Sequence, residues 1–155
     1  MHQYKDALTM LIEDYYLNKH IQTMMQISTQ LSYKKACKKI LEADNAIRFA
    51  GVINDNGRLV TGAVKDNIQF YVDEMDRSML FMEVALRTKM LYEFDSSLGP
   101  ANFSIHHRRN VITIEFPTGN ETVYVSAEKE FDLNKVPFQI DEIIRKENVP
   151  CSIAQ

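Results

Sequence analysis

Residues 46–64, AIRFAGVINDNGRLVTGAV, place two short apolar runs on either side of Asp55-Asn56-Gly57. Asn-Gly and Asp-Gly turns suit tight reversals, because glycine and asparagine enter the left-handed backbone region at least cost. The segment therefore predicts a β-hairpin carrying Phe49, Val52 or Ile53, Leu59, Val60 and Ala63. Gly51 and Gly62 interrupt it at nearly matching distances from the turn, where a missing side chain permits a bend or the close packing of a helix. A hairpin constrains the fold but names no reaction, and neither glycine belongs to a GxxxxGK[ST] phosphate loop or a GxGxxG dinucleotide loop. Around it, 155 residues of which 45% are apolar suffice for one domain with a substantial core. With only five glycines and four prolines, the connections should be short turns.

The first 45 residues contain neither proline nor glycine and follow a helical period. Leu8, Leu11, Ile12 and Tyr15 make one stripe, and Ile21, Met24, Met25 and Ile27 another, with Asn18 and His20 weakening the join. This reads as one short helix followed by a second, either a helical hairpin or one long bent helix, with Ser28 or Ser32 as a cap where the chain restarts. Next come Leu31, Ala36, Ile40 and Leu41, interleaved with Lys34, Lys35, Lys38 and Lys39, which share one broad helix face. A net charge of −3 leaves no global field for nucleic acid, and no aromatic residues interleave with the lysines as single-strand grooves require. The basic face reads as a solvated surface or a contact for an acidic partner.

Asn67 to Val72 is either a strand or a loop carrying Ile68, Phe70 and Val72. Asp73-Glu74-Met75-Asp76 then opens the strongest helix, residues 75–94, with acids at its positive dipole end. Met75, Met79, Met82, Leu86 and Met90 fall about a turn apart, while Leu80, Val84, Leu91 and Phe94 widen the apolar surface beyond what one sheet face covers. So broad a stripe reads as core packing or as core packing plus a subunit or partner interface. Gly99-Pro100 stops the helix. Three alternating strands follow, with Phe103 and Ile105 on the first, Ile112, Ile114 and Phe116 on the second, and Val123, Val125 and Ala127 on the third. Their links, Arg108-Arg109-Asn110 and Pro117-Thr118-Gly119-Asn120, are too short for parallel crossovers and predict an antiparallel meander. Asp132 to Lys146 closes the domain as a helix carrying Val136, Ile140, Ile143 and Ile144, with Pro137 in its first turn.

No catalytic or metal-binding set assembles. His106 and His107 are adjacent on a strand and point to opposite faces, and no HExxH or CxxC motif accompanies them. Cys37 has lysine neighbours that would favour a thiolate if exposed, yet it shares a helix with residues that seek burial, and no base or orienting group is in view. With only Cys37 and Cys151, far apart, bystander roles are expected for both. Ser104 and Ser126 lie in no GxSxG elbow. No cofactor, no nucleic-acid partner and no membrane insertion are expected, and without a signal-peptide pattern cytoplasmic residence is the default.

The order helix, hairpin, long helix, meander and closing helix resembles the Roadblock/LC7 superfamily. The residues that carry it are IRFAGVINDNGRLVTGA at 47–63, MDRSMLFMEVALRTKMLYEF at 75–94 and ANFSIHHRRNVITIEFPTGNETVYVSA at 101–127. The chain is also similar to an uncharacterised archaeal family of the same arrangement. The resemblance implies an α+β, profilin-like sandwich, a five-stranded antiparallel sheet with the two terminal-side helices on one face and the middle helix on the other. Its boundaries would be an N-terminal helical extension over 1–27, the domain over 28–147 and a tail over 148–155. It further implies a non-enzymatic homodimer paired through the middle helix and an edge strand, acting as a scaffold or as a regulator of small GTPases. The expected interface is Met75, Met79, Met82, Leu86, Met90, Phe103 and Ile105, with Lys34, Lys35, Lys38, Lys39, Arg108 and Arg109 as partner contacts. The alternative is a small-ligand sensory domain of profilin-like or PAS-like outline, which a deep apolar cavity with converging polar groups would favour.

Overall fold

The structure, a computed structural model, describes residues 2–147 and Val149, with side chains from Asp6 onward. The expectations for Cys151 and for the tail other than Val149 lie outside the described residues. The elements run α1 (His2–Ala43), β1 (Ile47–Ile53), β2 (Leu59–Val64), α2 (Glu74–Tyr92), α3 (Asp95–Leu98), β3 (Ser104–His107), β4 (Ile112–Thr118), β5 (Glu121–Ala127) and α4 (Val136–Lys146). The five strands form one sheet in the order β2-β1-β5-β4-β3, antiparallel at each pairing.

The chain divides into two compact units, Met1–Leu31 and Ser32–Gln155. The expected break near Asn18 and His20 does not occur, nor does a restart at Ser28 or Ser32, because α1 is one continuous helix. With no proline or glycine to remove a hydrogen bond or release the backbone, nothing in the segment terminates the ladder. Thr23 and Thr29, whose side chains could compete with it, instead donate back to the Lys19 and Met25 carbonyls one turn earlier.

In the second unit the two sheet faces carry separate clusters. Ala50, Val52, Ile112, Ile114, Phe116, Val123, Val125 and Ala127 face one way and are buried against Tyr33, Ala36, Cys37 and Ile40 of α1 and Val136, Ile140 and Ile144 of α4. The i, i+3, i+4, i+7 spacing of the α1 residues is the stripe of a helix lying on a sheet. On the other face, Ile53 and Tyr124 pack with Phe81 and Val84 of α2, and Phe49 and Leu80 border them. The expected five-stranded sandwich is thus the fold observed.

Local chemistry explains the joints. Asn54 bridges the hairpin turn, its Oδ1 accepting from the amides of Asn56 and Arg58, both at 3.0 Å. Gly57 sits at φ +74°, and a Cβ there would come within 2.6 Å of the Met82 Cα. The turn therefore rests on the α2 backbone, an approach open only to glycine. Gly51 and Gly62 are direct partners across β1 and β2. What lies against them is the Phe49 ring, not the bend or packed helix expected, since a Cβ on Gly51 would meet Phe49 Cζ at 2.6 Å.

Of the two readings of 67–72 the loop is the one observed, entered through Asn67 at φ 60°. Three boundaries differ from expectation. Helix α2 ends at Tyr92, and Gly99 caps only the separate four-residue α3. Pro117 belongs to β4, not to the turn. The pairing of β3 ends at Ser104 with Glu115, so Pro117 lies where β4 has an open edge and its missing N–H costs no ladder bond. The closing helix begins at Val136, because Asp132 first forms a turn by accepting from the Asn134 amide at 3.0 Å.

Candidate functional site

Asp73 caps α2, its carboxylate accepting from the Asp76 amide at 2.8 Å, with Glu74 and Asp76 in the first turn as the macrodipole favours. At about 100° per residue, Phe81, Val84, Ala85 and Thr88 form the buried stripe. Met75, Met79, Met82, Leu86 and Met90 fall on the opposite side and are 52–75% exposed. The structure gathers these five into one apolar ridge. It does not gather them with the other two expected interface residues. Ile105 pairs with Ile114 and Phe103 packs on Phe116 and Phe138, which puts both on the α1 and α4 face of the sheet. Strand β3 is nonetheless an edge, so among the described residues its outer backbone groups have no partner strand.

Of the basic face, Lys39 and Lys35 are turned to Glu147 after α4, the first in a hydrogen-bonded pair and the second at 3.6 Å. The bond from Lys39 holds the Glu147 carboxyl below its ordinary range. Lys34 and Lys38 remain exposed and unpaired among the described residues. Cys37 is fully buried, and burial pushes its thiol up to about 12, the reverse of what a nucleophile needs. His106 and His107 do face opposite ways, pairing with Thr113 and Ile112. His106 Nε2 lies 3.6 Å from the buried Glu115, which Arg87 of α2 also grips together with Glu83. Among the described residues no three His, Cys, Asp or Glu side chains converge as a metal site would require, and no helix is long and apolar enough to cross a membrane.

A cavity of about 570 Å³ opens between the sheet and the start of α2, beneath the 67–72 loop. Its apolar lining includes Phe49, Phe70, Leu80, Phe81 and Tyr124. Phe49 stacks on Phe81 at 6.5 Å between ring centres and meets Phe70 edge-on at 6.3 Å. Four arginines, Arg48, Arg77, Arg108 and Arg109, line the same space, and no carboxylate does among the described residues. A bulge between Ile47 and Phe49 re-aims Arg48, which pairs with Glu128, donates to the Gln69 carbonyl at 2.7 Å and lies 4.3 Å from the Tyr71 ring centre. The Arg77 guanidinium lies 4.3 Å from the Phe70 ring centre, and its buried Nε has no hydrogen-bond partner. Burial and the nearby Glu115 raise the Tyr124 hydroxyl to about 12, against a downward pull from Arg108.

Sequence reasoning missed this cavity. The signal for it was an arginine inside the apolar run IRFAGVI and the Phe70-Tyr71 pair in the ambiguous stretch. Arg108 and Arg109, expected as partner contacts, are found at its wall.

The fold recurs in solved structures. It superposes on the gliding protein MglB from Thermus thermophilus with a TM-score of 0.60 and 12% identity, covering 77% of this chain and 90% of that one. The Roadblock/LC7 domain from Streptomyces avermitilis gives 0.57 and 7%, covering 73% and 92%, and Myxococcus xanthus MglB gives 0.56 and 14%, covering 76% and 87%. At such identities the likeness is one of fold. No curated protein matches the chain. A family model described as a family of unknown function, DUF6659, matches residues 24–150, and the chain therefore belongs to the DUF6659 family.

Proposed function

We propose that this protein is a non-enzymatic interaction domain that pairs with a second copy through the outer face of α2 and regulates or scaffolds a protein partner. The observation that carries the reading is the ridge of Met75, Met79, Met82, Leu86 and Met90, five apolar side chains in line and all more than half exposed. An isolated exposed Leu or Met means little, but a contiguous apolar ridge marks a surface that another surface covers. Methionine suits that task, since its flexible thioether packs against irregular neighbours. The open β3 edge offers a second element for pairing, with Phe103 and Ile105 beside it on the α1 and α4 face.

The finer reading is a homodimer working with a small GTPase, cytoplasmic and of the archaeal kind the sequence resembles. Its domain boundaries are a helical extension over 1–27, a Roadblock/LC7-like body over 28–147 and a tail to 155. Lys34, Lys38, Arg108 and Arg109 would steer an acidic partner, with Lys35 and Lys39 contributing less because Glu147 already meets them. Light scattering of the pure protein tests the pairing, the expected result being a dimer at tens of micromolar. Met79→Asp should give a monomer with unchanged circular dichroism. A wild-type monomer would overturn the pairing. Titration with purified small GTPases in both nucleotide states tests the partner class, and Lys34→Glu with Lys38→Glu should slow association and flatten its salt dependence.

A further inference from the structure

We propose that the cavity beneath the 67–72 loop binds a small organic anion, a carboxylate or phosphate carried on an apolar, ring-bearing body. Its volume of about 570 Å³ is that of a small-molecule site, and it is concave where the α2 ridge is convex. The two halves of the ligand follow from the two halves of the lining.

The anion follows from the arginines. Arg48 already commits its charge to Glu128 and its second Nη to the Gln69 carbonyl. Arg77, Arg108 and Arg109 form no ion pair among the described residues, although each borders the same apolar space. Guanidinium groups are costly to desolvate beside aromatic walls unless an anion meets them. Arg108 and Arg109 are exposed and bear little of that cost, which falls on the half-buried Arg77. Arg77 stands in the first turn of α2, where the macrodipole disfavours a cation, and its Nε is buried without a hydrogen-bond partner. The nearest acids in sequence, Asp73, Glu74 and Asp76, are exposed and do not line the cavity. The planar fork of arginine matches the two oxygens of a carboxylate or phosphate, so the group left open is one that such an anion completes.

The ring-bearing body follows from the walls. Phe49, Phe70, Phe81 and Tyr124 contact one another stacked, tilted or edge-on, and their exposed faces and edges are what a further ring packs against. The Tyr124 hydroxyl stays protonated throughout the physiological range, leaving it able to donate to an oxygen anion. Tyr71 is held by a cation–π contact with the already paired Arg48 and Phe70 by one with Arg77, so the loop roof is fastened on the Phe70 side to an arginine that would meet the ligand.

The test is calorimetric titration of the full chain with naphthoate, naphthyl phosphate and the neutral naphthalenemethanol, together with octanoate as an anion lacking a ring. At least one of the two ring anions should bind at one site per chain, and the neutral alcohol at least about tenfold more weakly, the loss expected for charge-assisted hydrogen bonds. Octanoate should also bind more weakly than that ring anion. Arg77→Gln, and separately Arg108→Gln with Arg109→Gln, should weaken the ring anion about tenfold while leaving the alcohol unchanged. The comparison of ligands on the unaltered protein stands even if a variant does not fold. Equal affinity for anion and alcohol, no binding of either ring anion at millimolar concentration, or amide shifts on binding that avoid Phe49, Arg77 and Tyr124 would each overturn the proposal. Binding should persist in Met79→Asp, which separates this site from the α2 interface.

Discussion

At the scale of single residues, Ile114 carries the most instructive burden. It is fully buried between β3 and β5, on the face covered by α1 and α4. Truncation to alanine removes transfer energy and leaves a cavity that rigid neighbours cannot close. Ile114→Ala should therefore lower unfolding stability by about 2–5 kcal/mol in urea, and a change below about 0.5 kcal/mol would place it on an exposed face. Cys37 yields a prediction about pH. Its thiol is held protonated by burial up to about 12, against an ordinary value of 9.0. Below pH 9.0 both folded and unfolded chains keep the proton, and the contribution to stability is fully present. As pH rises from 9.0 toward about 12, the unfolded chain releases the proton while the native one holds it, so that contribution is lost. Compared with Cys37→Ala, the wild type should thus lose stability more steeply across that alkaline window. At neutral pH its Cys37 should label with a thiol reagent only as fast as the domain opens.

At the scale of elements, α2 does three things with three of its sides. One stripe closes the sheet, the opposite ridge is offered outward, and its N-terminal turn puts Arg77 at the cavity. The cap that starts the helix therefore bears on the proposed sites as well as on stability. Asp73→Ala removes the acceptor for the Asp76 amide and should cost about 1 kcal/mol in denaturant unfolding. Asp73→Asn, which keeps an acceptor, should stay close to the wild type. If the alanine variant unfolds at the wild-type midpoint, the capping bond is not contributing. The sheet is similarly restrained at its edge: β3 is only four residues long and β4 carries Pro117 beyond it, which limits how far a foreign strand can extend the pairing.

At the scale of the whole molecule, the chain divides within α1 between Leu31 and Ser32. From Tyr33 onward α1 buries Tyr33, Ala36, Cys37 and Ile40, while Leu8, Leu11, Ile12 and Tyr15 are exposed. Long helices in water draw most of their stability from tertiary packing, so residues 32–155 hold what the sheet requires of α1. A chain starting at Ser32, whose side chain can cap the shortened helix, should retain the near-ultraviolet spectrum and a cooperative unfolding transition. Loss of both would make the first unit part of the folding domain.

Local pattern determined a large share of this protein. Period-two alternation marked Ile112, Ile114, Phe116, Val123 and Val125, and every one is buried. The Asn-Gly turn and the acidic start of α2 are likewise written in neighbouring residues, because turns, caps and faces depend on backbone preference and spacing within a few positions. The exposed methionine ridge was legible for the same reason, as a stripe too wide for one sheet. What only the tertiary structure decided involves residues far apart in the chain. The ring of Phe49 fills the space left by Gly51 and Gly62, and Gly57 rests on Met82. Phe103 and Ile105 lie on the sheet face opposite α2, because register and strand order, not sequence distance, set which side chains share a surface. The cavity belongs to this second class. Arg48 comes from a strand, Arg77 from a helix start and Arg108 and Arg109 from a turn, each ordinary alone, and only the folded sheet brings four cations and a wall of aromatic rings around one space.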